Sequence, residues 1–456
     1  MSSFTTINPA TAENLETYQL MDTQEVDRAI SNCHMAFEHW RGTDLDHRAE
    51  VIRGIGRGLT ESKDELAQMM TCEMGKLLSQ SHQEIELCAA ICEWTADHGP
   101  AHLAREEHQI NAGTGHIVHA PIGVIYGIQP WNYPAYQVVR YSIANLMAGN
   151  SVLLKHAQNV TGSGLLLTSI FEAAGLPENL FTTLVIDHEE SDRVIEHDLV
   201  RGVTLTGSPD AGRAVGATAA RALKKTVLEL GSNDAYLVLA DADIEQAVKL
   251  CVQGRIYNNG ETCIAAKRFV VVDDVYEEFK AAFVNAMNNV SLGSPESDEV
   301  DLGPMAREDL RDKLHEQVSE SVAKGATIMC GGEIPDRKGF YYPATVLADV
   351  SPGQPAYDDE LFGPVAALIR AADTDDALRI ANDSRFGLGG GIISGDTASA
   401  VELAATQFDT GMVFVNAFGL AQPDMPFGGV KDSGYGREHG GYGMREFTNT
   451  KAIIVE

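Results

Sequence analysis

The chain has 456 residues, 44% hydrophobic and 22% charged, with 65 acidic side chains against 34 basic ones and a formal net charge of −31. That length exceeds what one hydrophobic core organises, so two or three domains are expected. The acidic balance argues against nucleic acid or an anionic membrane as partner, and an anionic substrate would need positive charge supplied at its pocket.

The opening MSSFTTINPATAENLETYQL has no basic start followed by an apolar stretch, so no secretory signal is read there. No later apolar run approaches the ~18 residues of a membrane span. Seven scattered cysteines without CxxC pairs suggest neither zinc nor a disulfide framework. A cytoplasmic protein is expected.

Helices are expected to open the fold. Val26, Ile30, Cys33, Phe37 and Trp40 recur at helical spacing, and Asp22 with Glu25 reads as a capping box. Further helices are expected from about Asp46 to Leu59 and from Lys63 to Trp94. Cys88 and Cys92, four apart, read as core thiols rather than a metal pair. His98 and His102 lack a third plausible ligand, and no metal site is expected.

From residue 116 the rhythm changes. GVIYGIQ (123–129), SVLLK (151–155), FTTLVI (181–186) and GVTLTG (202–207) are short β-rich runs, each followed by helical sequence. Such βαβα alternation implies a parallel, doubly wound sheet, which binds ligands at the carboxyl ends of its strands. A second α/β series starts at TVLELG (226–231) and AYLVLA (235–240) and runs to about residue 410.

No GxGxxG opens a helix after a strand. The candidate phosphate-binding turn is GVTLTGSPDAG (202–212): Gly207 permits close backbone approach, Ser208 caps the following helix, and Pro209 suits its first position. A capped helix without a ligand fits the same residues. Cys263, in the polar stretch NNGETCIAAKRF, is a candidate reactive thiol. Glu229 is an acid inside a short apolar strand, either a functional base or half of a structural ion pair. Asn132, after GVIYGIQ, could donate to a developing oxyanion or simply form a turn.

Taken in order, PWNYP (130–134), LLKHAQ (153–158), LTGS (205–208), LELG (228–231), NGETC (259–263), ELFGPV (360–365) and PFGGVKDSGYGRE (426–438) resemble the aldehyde dehydrogenase superfamily over nearly the whole chain. The resemblance implies an α/β fold with a Rossmann-type cofactor domain (1–102 and 121–229), a catalytic domain (230–425) and a small oligomerisation element (103–120 and 441–456). A homodimer or homotetramer is implied. By the same resemblance Cys263 is the nucleophile, Glu229 the general base and Asn132 the oxyanion amide. Trp131, Lys155, Gln158, Gly207, Ser208, Leu230, Glu360 and Phe362 lie in the cofactor site. Hydride transfer to NAD or NADP through a Cys263 thioester, hydrolysed by water, follows; a non-catalytic protein on this fold would be expected to have lost Cys263, Glu229 or Asn132.

The pattern most resembles bacterial succinate semialdehyde dehydrogenases. Arg140 matches an arginine that grips the substrate carboxylate, and a guanidinium suits that task. A surface salt bridge, with an uncharged aliphatic or aromatic aldehyde as substrate, is the alternative. Gln158 stands where many NAD-preferring relatives carry glutamate, so both dinucleotides are expected; His156 is expected to favour a phosphate weakly. Ser232 replaces the second glycine of the usual LELGG, with no account from sequence.

Overall fold

The computed structural model describes residues 2–111 and 113–456. Two parallel-rich sheets carry the molecule. The first has six strands in the spatial order Gly434–Tyr435, Lys225–Glu229, Val200–Thr206, Val124–Gln129, Ser151–His156 and Phe181–Thr183. Its central strand, Val124–Gln129, pairs in parallel with Val200–Thr206 on one side and Ser151–His156 on the other. The chain fills one flank first and then crosses to the other, which creates a topological switch point at the carboxyl ends of these strands.

The second sheet has seven strands in the order Thr327–Cys330, Thr345–Ala348, Val365–Ala371, Arg268–Val272, Ala235–Val238, Gly390–Ile393 and Phe414–Val415. Its central strands are buried on both faces, which is why they read as continuous apolar runs rather than alternating ones. Gly391 lies flat against Tyr236: a Cβ there would meet the ring at 2.5 Å. A third sheet pairs Thr448–Val455 with Gly113–Pro121, and that strand with Glu106–Ile110.

The first helix, Thr23–Trp40, starts with the capping box expected from Asp22 and Glu25 and buries Val26, Ile30, Cys33, Phe37 and Trp40. Cys88 and Cys92 are buried in the core of helix Leu78–Leu103. No cluster of three metal-ligating side chains occurs among the described residues, and no helix there is long and apolar enough to cross a membrane.

Two expectations change. The chain opens with an antiparallel hairpin, Ser3–Asn8 with Glu13–Gln19, not with helices. Its strands are largely exposed and polar, so they carry no apolar alternation. The long helix expected over 63–94 is two helices, Lys63–Met74 and Leu78–Leu103, divided at Gly75, whose φ of 81° is left-handed. A side chain at Gly75 would meet Pro304 at 2.8 Å, so this break is also a close packing point.

Candidate active site

Four parallel strands deliver their ends to one edge. Ile128 is in register with Lys155 and with Leu205, and Thr206 with Glu229. The segments that follow, Trp131–Asn132, Gly207–Ser208 and Leu230–Gly231, therefore converge on one cavity of about 390 Å³. Cys263, Glu360, Phe362 and Gln317 close it from the second sheet. Trp131 and Phe362 meet edge to face across it, with ring centroids 5.7 Å apart.

Ser208 caps the helix Pro209–Arg221, accepting from the Ala211 N–H at 3.2 Å. A Cβ added at Gly207 would meet nothing inside the protein nearer than 3.6 Å. The chain's own packing thus does not require glycine there, and the open approach faces the groove, as a pyrophosphate turn needs. Gly231 differs: a Cβ there would meet Glu360 Oε2 at 2.7 Å. Lys155 and Gln158 line a neighbouring cavity of about 600 Å³ with Asn159, His188 and Arg307. His156 is turned away from any ligand: it is buried, its Nε2 donates to the Pro134 carbonyl at 2.9 Å, its Nδ1 accepts from the Ala157 N–H at 3.1 Å, and burial pulls it down to about 4. The weak phosphate preference expected of it is therefore corrected; the ring is neutral.

Cys263 follows a strained turn. Asn258, Asn259 and Gly260 all have positive φ, at 54°, 55° and 74°. Asparagine tolerates that region because its amide can satisfy nearby backbone. Asn258 Nδ2 donates to the Asn132 and Glu261 carbonyls at 2.9 and 3.0 Å; Asn259 Nδ2 donates to Gly75 and Pro304. Asn132 Nδ2 donates one N–H to the Glu261 carbonyl at 3.0 Å, which leaves its second for the cavity.

The Cys263 side chain also lines a narrow slot of about 20 Å³ with Leu87, Tyr133, Tyr136, Ile264, Leu420 and Phe427. The thiol and Gln137 are common to slot and larger cavity. Burial pushes the thiol up to about 11, against the nearby charges of Arg140 and Lys267.

Glu229 is 1% exposed and lines neither cavity. Among the described residues neither of its carboxylate oxygens finds a hydrogen-bond donor. Burial pushes it well above the usual carboxylate range; Arg140 opposes the shift and Glu438 adds to it.

Arg140 is placed differently from the expected substrate grip. It is buried in an ion pair with Glu438, and its Nη2 donates to Thr206 Oγ1 at 2.8 Å. Its guanidinium carbon lies 4.5 Å from the Phe427 ring centroid and 5.3 Å from that of Tyr136. These two rings form the slot wall, so the charge sits behind the wall instead of in the opening. A buried guanidinium needs a counter-ion, and Glu438 supplies it. Sequence reasoning did not single out Glu438, although it ends the motif 426–438. Lys267, noted in the sequence only as a cation just beyond Cys263, is buried against Cys263 and Glu360.

The sequence profile described as the aldehyde dehydrogenase family matches residues 1–453. The chain is 43% identical over 447 residues to a succinate semialdehyde dehydrogenase of Escherichia coli K12 named for NAD(P)+, covering 98% of this chain and 96% of that one. It is 42% identical over 450 residues to an NADP+-named succinate-semialdehyde dehydrogenase of Deinococcus radiodurans, covering 99% and 94%. The crystal structure of a succinic semialdehyde dehydrogenase from Streptococcus pyogenes, in complex with NADP+, superposes with a TM-score of 0.97 at 34% identity, covering 99% of each chain. The chain belongs to the aldehyde dehydrogenase family.

Proposed function

We propose that this protein oxidises succinate semialdehyde to succinate with NAD(P)+, using Cys263 as nucleophile, Glu229 as base and Asn132 as oxyanion amide. The observation that carries the reaction is the Cys263 side chain at the junction of two cavities. One is an apolar slot suited to an aldehyde, and the other a groove whose walls suit a dinucleotide. The succinate semialdehyde reading is supported by relatives of that name at 41–43% identity.

Gly207 and Ser208 would hold the pyrophosphate, Lys155 and Gln158 the adenosine ribose, Glu360 the nicotinamide ribose, with Trp131, Leu230 and Phe362 alongside. Bound NAD(P)+ supplies the hydride-accepting ring. The Cys263 thiolate forms a C–S bond to the aldehyde carbon, and the new oxyanion meets the free Asn132 amide N–H and the Cys263 backbone N–H. Loss of hydride leaves the thioester. Glu229 then takes a proton from water, the resulting hydroxide adds to the thioester carbon, and the C–S bond breaks to release the acid. Burial raises the Glu229 carboxyl above the usual range, which strengthens it as a base once ionised.

In this reading Arg140 acts from behind the slot wall. A direct grip would require it to leave Glu438 and pass the Phe427 ring. A second reading, an uncharged aliphatic or aromatic aldehyde, draws on the apolar slot itself. Initial rates of NADH and NADPH formation with succinate semialdehyde, butyraldehyde and benzaldehyde separate the two. Strong preference for succinate semialdehyde is expected; equal turnover of all three would replace the substrate while leaving the chemistry.

We further propose a cofactor domain (1–102, 121–229), a catalytic domain (230–425) and an oligomerisation element (103–120, 441–456) that joins copies into a dimer or tetramer. Support comes from the exposed apolar side chains of Ile453, Ile454 and Val455 on strand Thr448–Val455.

A further inference from the structure

Behind the nucleophile lies a buried ammonium whose partners come from three segments, at Ser232, at Thr262–Cys263 and at Glu360. Lys267 Nζ donates to the Cys263 carbonyl at 2.6 Å, to the Thr262 carbonyl at 3.2 Å and to Ser232 Oγ at 2.8 Å. It also pairs with Glu360 Oε1 at 3.3 Å. Ser232, fully buried, in turn donates its hydroxyl hydrogen bond to the Cys263 carbonyl. The serine that replaces glycine after Leu230–Gly231 therefore has a structural use.

The geometry matters because the two carbonyls belong to the two peptide planes that flank the nucleophile. A trans peptide is planar, with its C=O and N–H opposed. Holding the Thr262 oxygen fixes the direction of the Cys263 N–H; holding the Cys263 oxygen fixes the next plane. With both planes pinned, the Cα–Cβ bond that aims the thiol has no backbone freedom left.

Resting on the proposed reaction, we infer that Lys267, seated by the Ser232 hydroxyl, is the positioning residue that sets both peptide planes of the nucleophile and holds a cation facing its sulfur. The groups around that sulfur are Arg140 and Lys267 on the favourable side, Glu360 and Asp234 on the unfavourable side, and the Tyr133 and Tyr136 phenols. Removing the ammonium leaves two carboxyls opposed by Arg140, so the thiolate becomes harder to form.

The test uses full-length, cofactor-free protein and the rate of Cys263 alkylation by iodoacetamide between pH 6 and 10, with the modified peptide identified by mass. Lys267→Met is expected to displace the rising rate–pH line to higher pH by about one unit, read as an about 10-fold lower rate at each pH. Ser232→Ala, which keeps the charge but loosens its seat, is expected to shift it less while lowering kcat about 3–10-fold, with the aldehyde KM within about 2-fold. Should Lys267→Met not fold, Lys267→Arg keeps the charge without the same reach. It is expected to lower kcat as Ser232→Ala does, without a profile shift. Wild-type alkylation profiles with unchanged kcat in the soluble variants would overturn the inference. Alkylation needs no aldehyde, so a wild type that shifts as expected on Lys267→Met yet oxidises no aldehyde would sink the proposed function and leave this inference standing.

Discussion

The two sides of Cys263 differ in kind. On one side lie Lys267, Arg255 and Asp234, all buried, and Glu360, which also lines the larger cavity. In front of Cys263 the slot is walled by Leu87, Ile264, Leu420, Phe427 and two tyrosine rings. The contrast teaches that charge in this site pairs with the protein's own groups, while the slot offers mostly apolar surface. Arg140 belongs to the first class although its sequence position suggests the second, because Glu438 has claimed it.

Five substitutions sharpen that division. The largest effect is expected from Glu229→Gln: kcat should fall about 1,000-fold, while a single burst of NAD(P)H per site survives because only thioester hydrolysis is blocked. Stopped-flow absorbance reads both phases. The same variant carries a stability signature. Burial raises the folded carboxyl's pKa, so the native state holds that proton more tightly than the unfolded chain. This contribution is full below the ordinary carboxylate range and is lost as pH rises through the folded value. Glu229→Gln should therefore melt higher than wild type at alkaline pH, by calorimetry, and match it more closely in acid.

Arg140→Met comes next. It strands Glu438 in a buried site, and destabilisation of about 3–5 kcal/mol is expected in urea. Arg140→Met with Glu438→Gln should recover much of that loss. In the double variant the ratio of kcat/KM for succinate semialdehyde to that for butyraldehyde is expected to stay close to wild type; its collapse would move Arg140 into the substrate-gripping class.

Gly207→Ala tests the open groove. The added methyl has room inside the chain, so the melting temperature should hold while NADP+ binding weakens about 10-fold, read by titration calorimetry. The smallest effect is expected for Gln158→Glu, in which a new carboxylate repels a 2′-phosphate and shifts preference from NADP+ toward NAD+ by several-fold. Paired Kd measurements decide it.

Much of this arrangement was legible in the sequence because it is local. The strands at 123–129, 151–155 and 202–207 announce themselves by β-rich runs, and Ser208 with Pro209 by helix-start chemistry. The N-terminal hairpin was not, since its strands bury almost nothing and its identity comes from pairing alone. At Gly75 the left-handed helix end is local, but the proline packed against it, 229 residues later in the chain, was hidden. The partners of Arg140 and Lys267 were hidden for the same reason. A buried charge is identified in sequence, but its counter-ion is chosen by topology, as residue 438 for Arg140 and residue 360 for Lys267 show.

The short strand Gly434–Tyr435 closes the outer edge of the strand that bears Glu229, with Gly434 opposite Glu229 itself. Ser433 Oγ donates to the Gly231 carbonyl, 202 residues away, and Gly428 lies so near the Glu229 carboxylate that a Cβ there would meet its Oε1 at 2.7 Å. On a ribosome that emits the chain from its N-terminus, both sheets have most of their strands before this closure exists. Cys263 is therefore translated well ahead of the stretch that closes over Glu229, and an interrupted product carries the thiol without the finished edge of the strand that bears the acid.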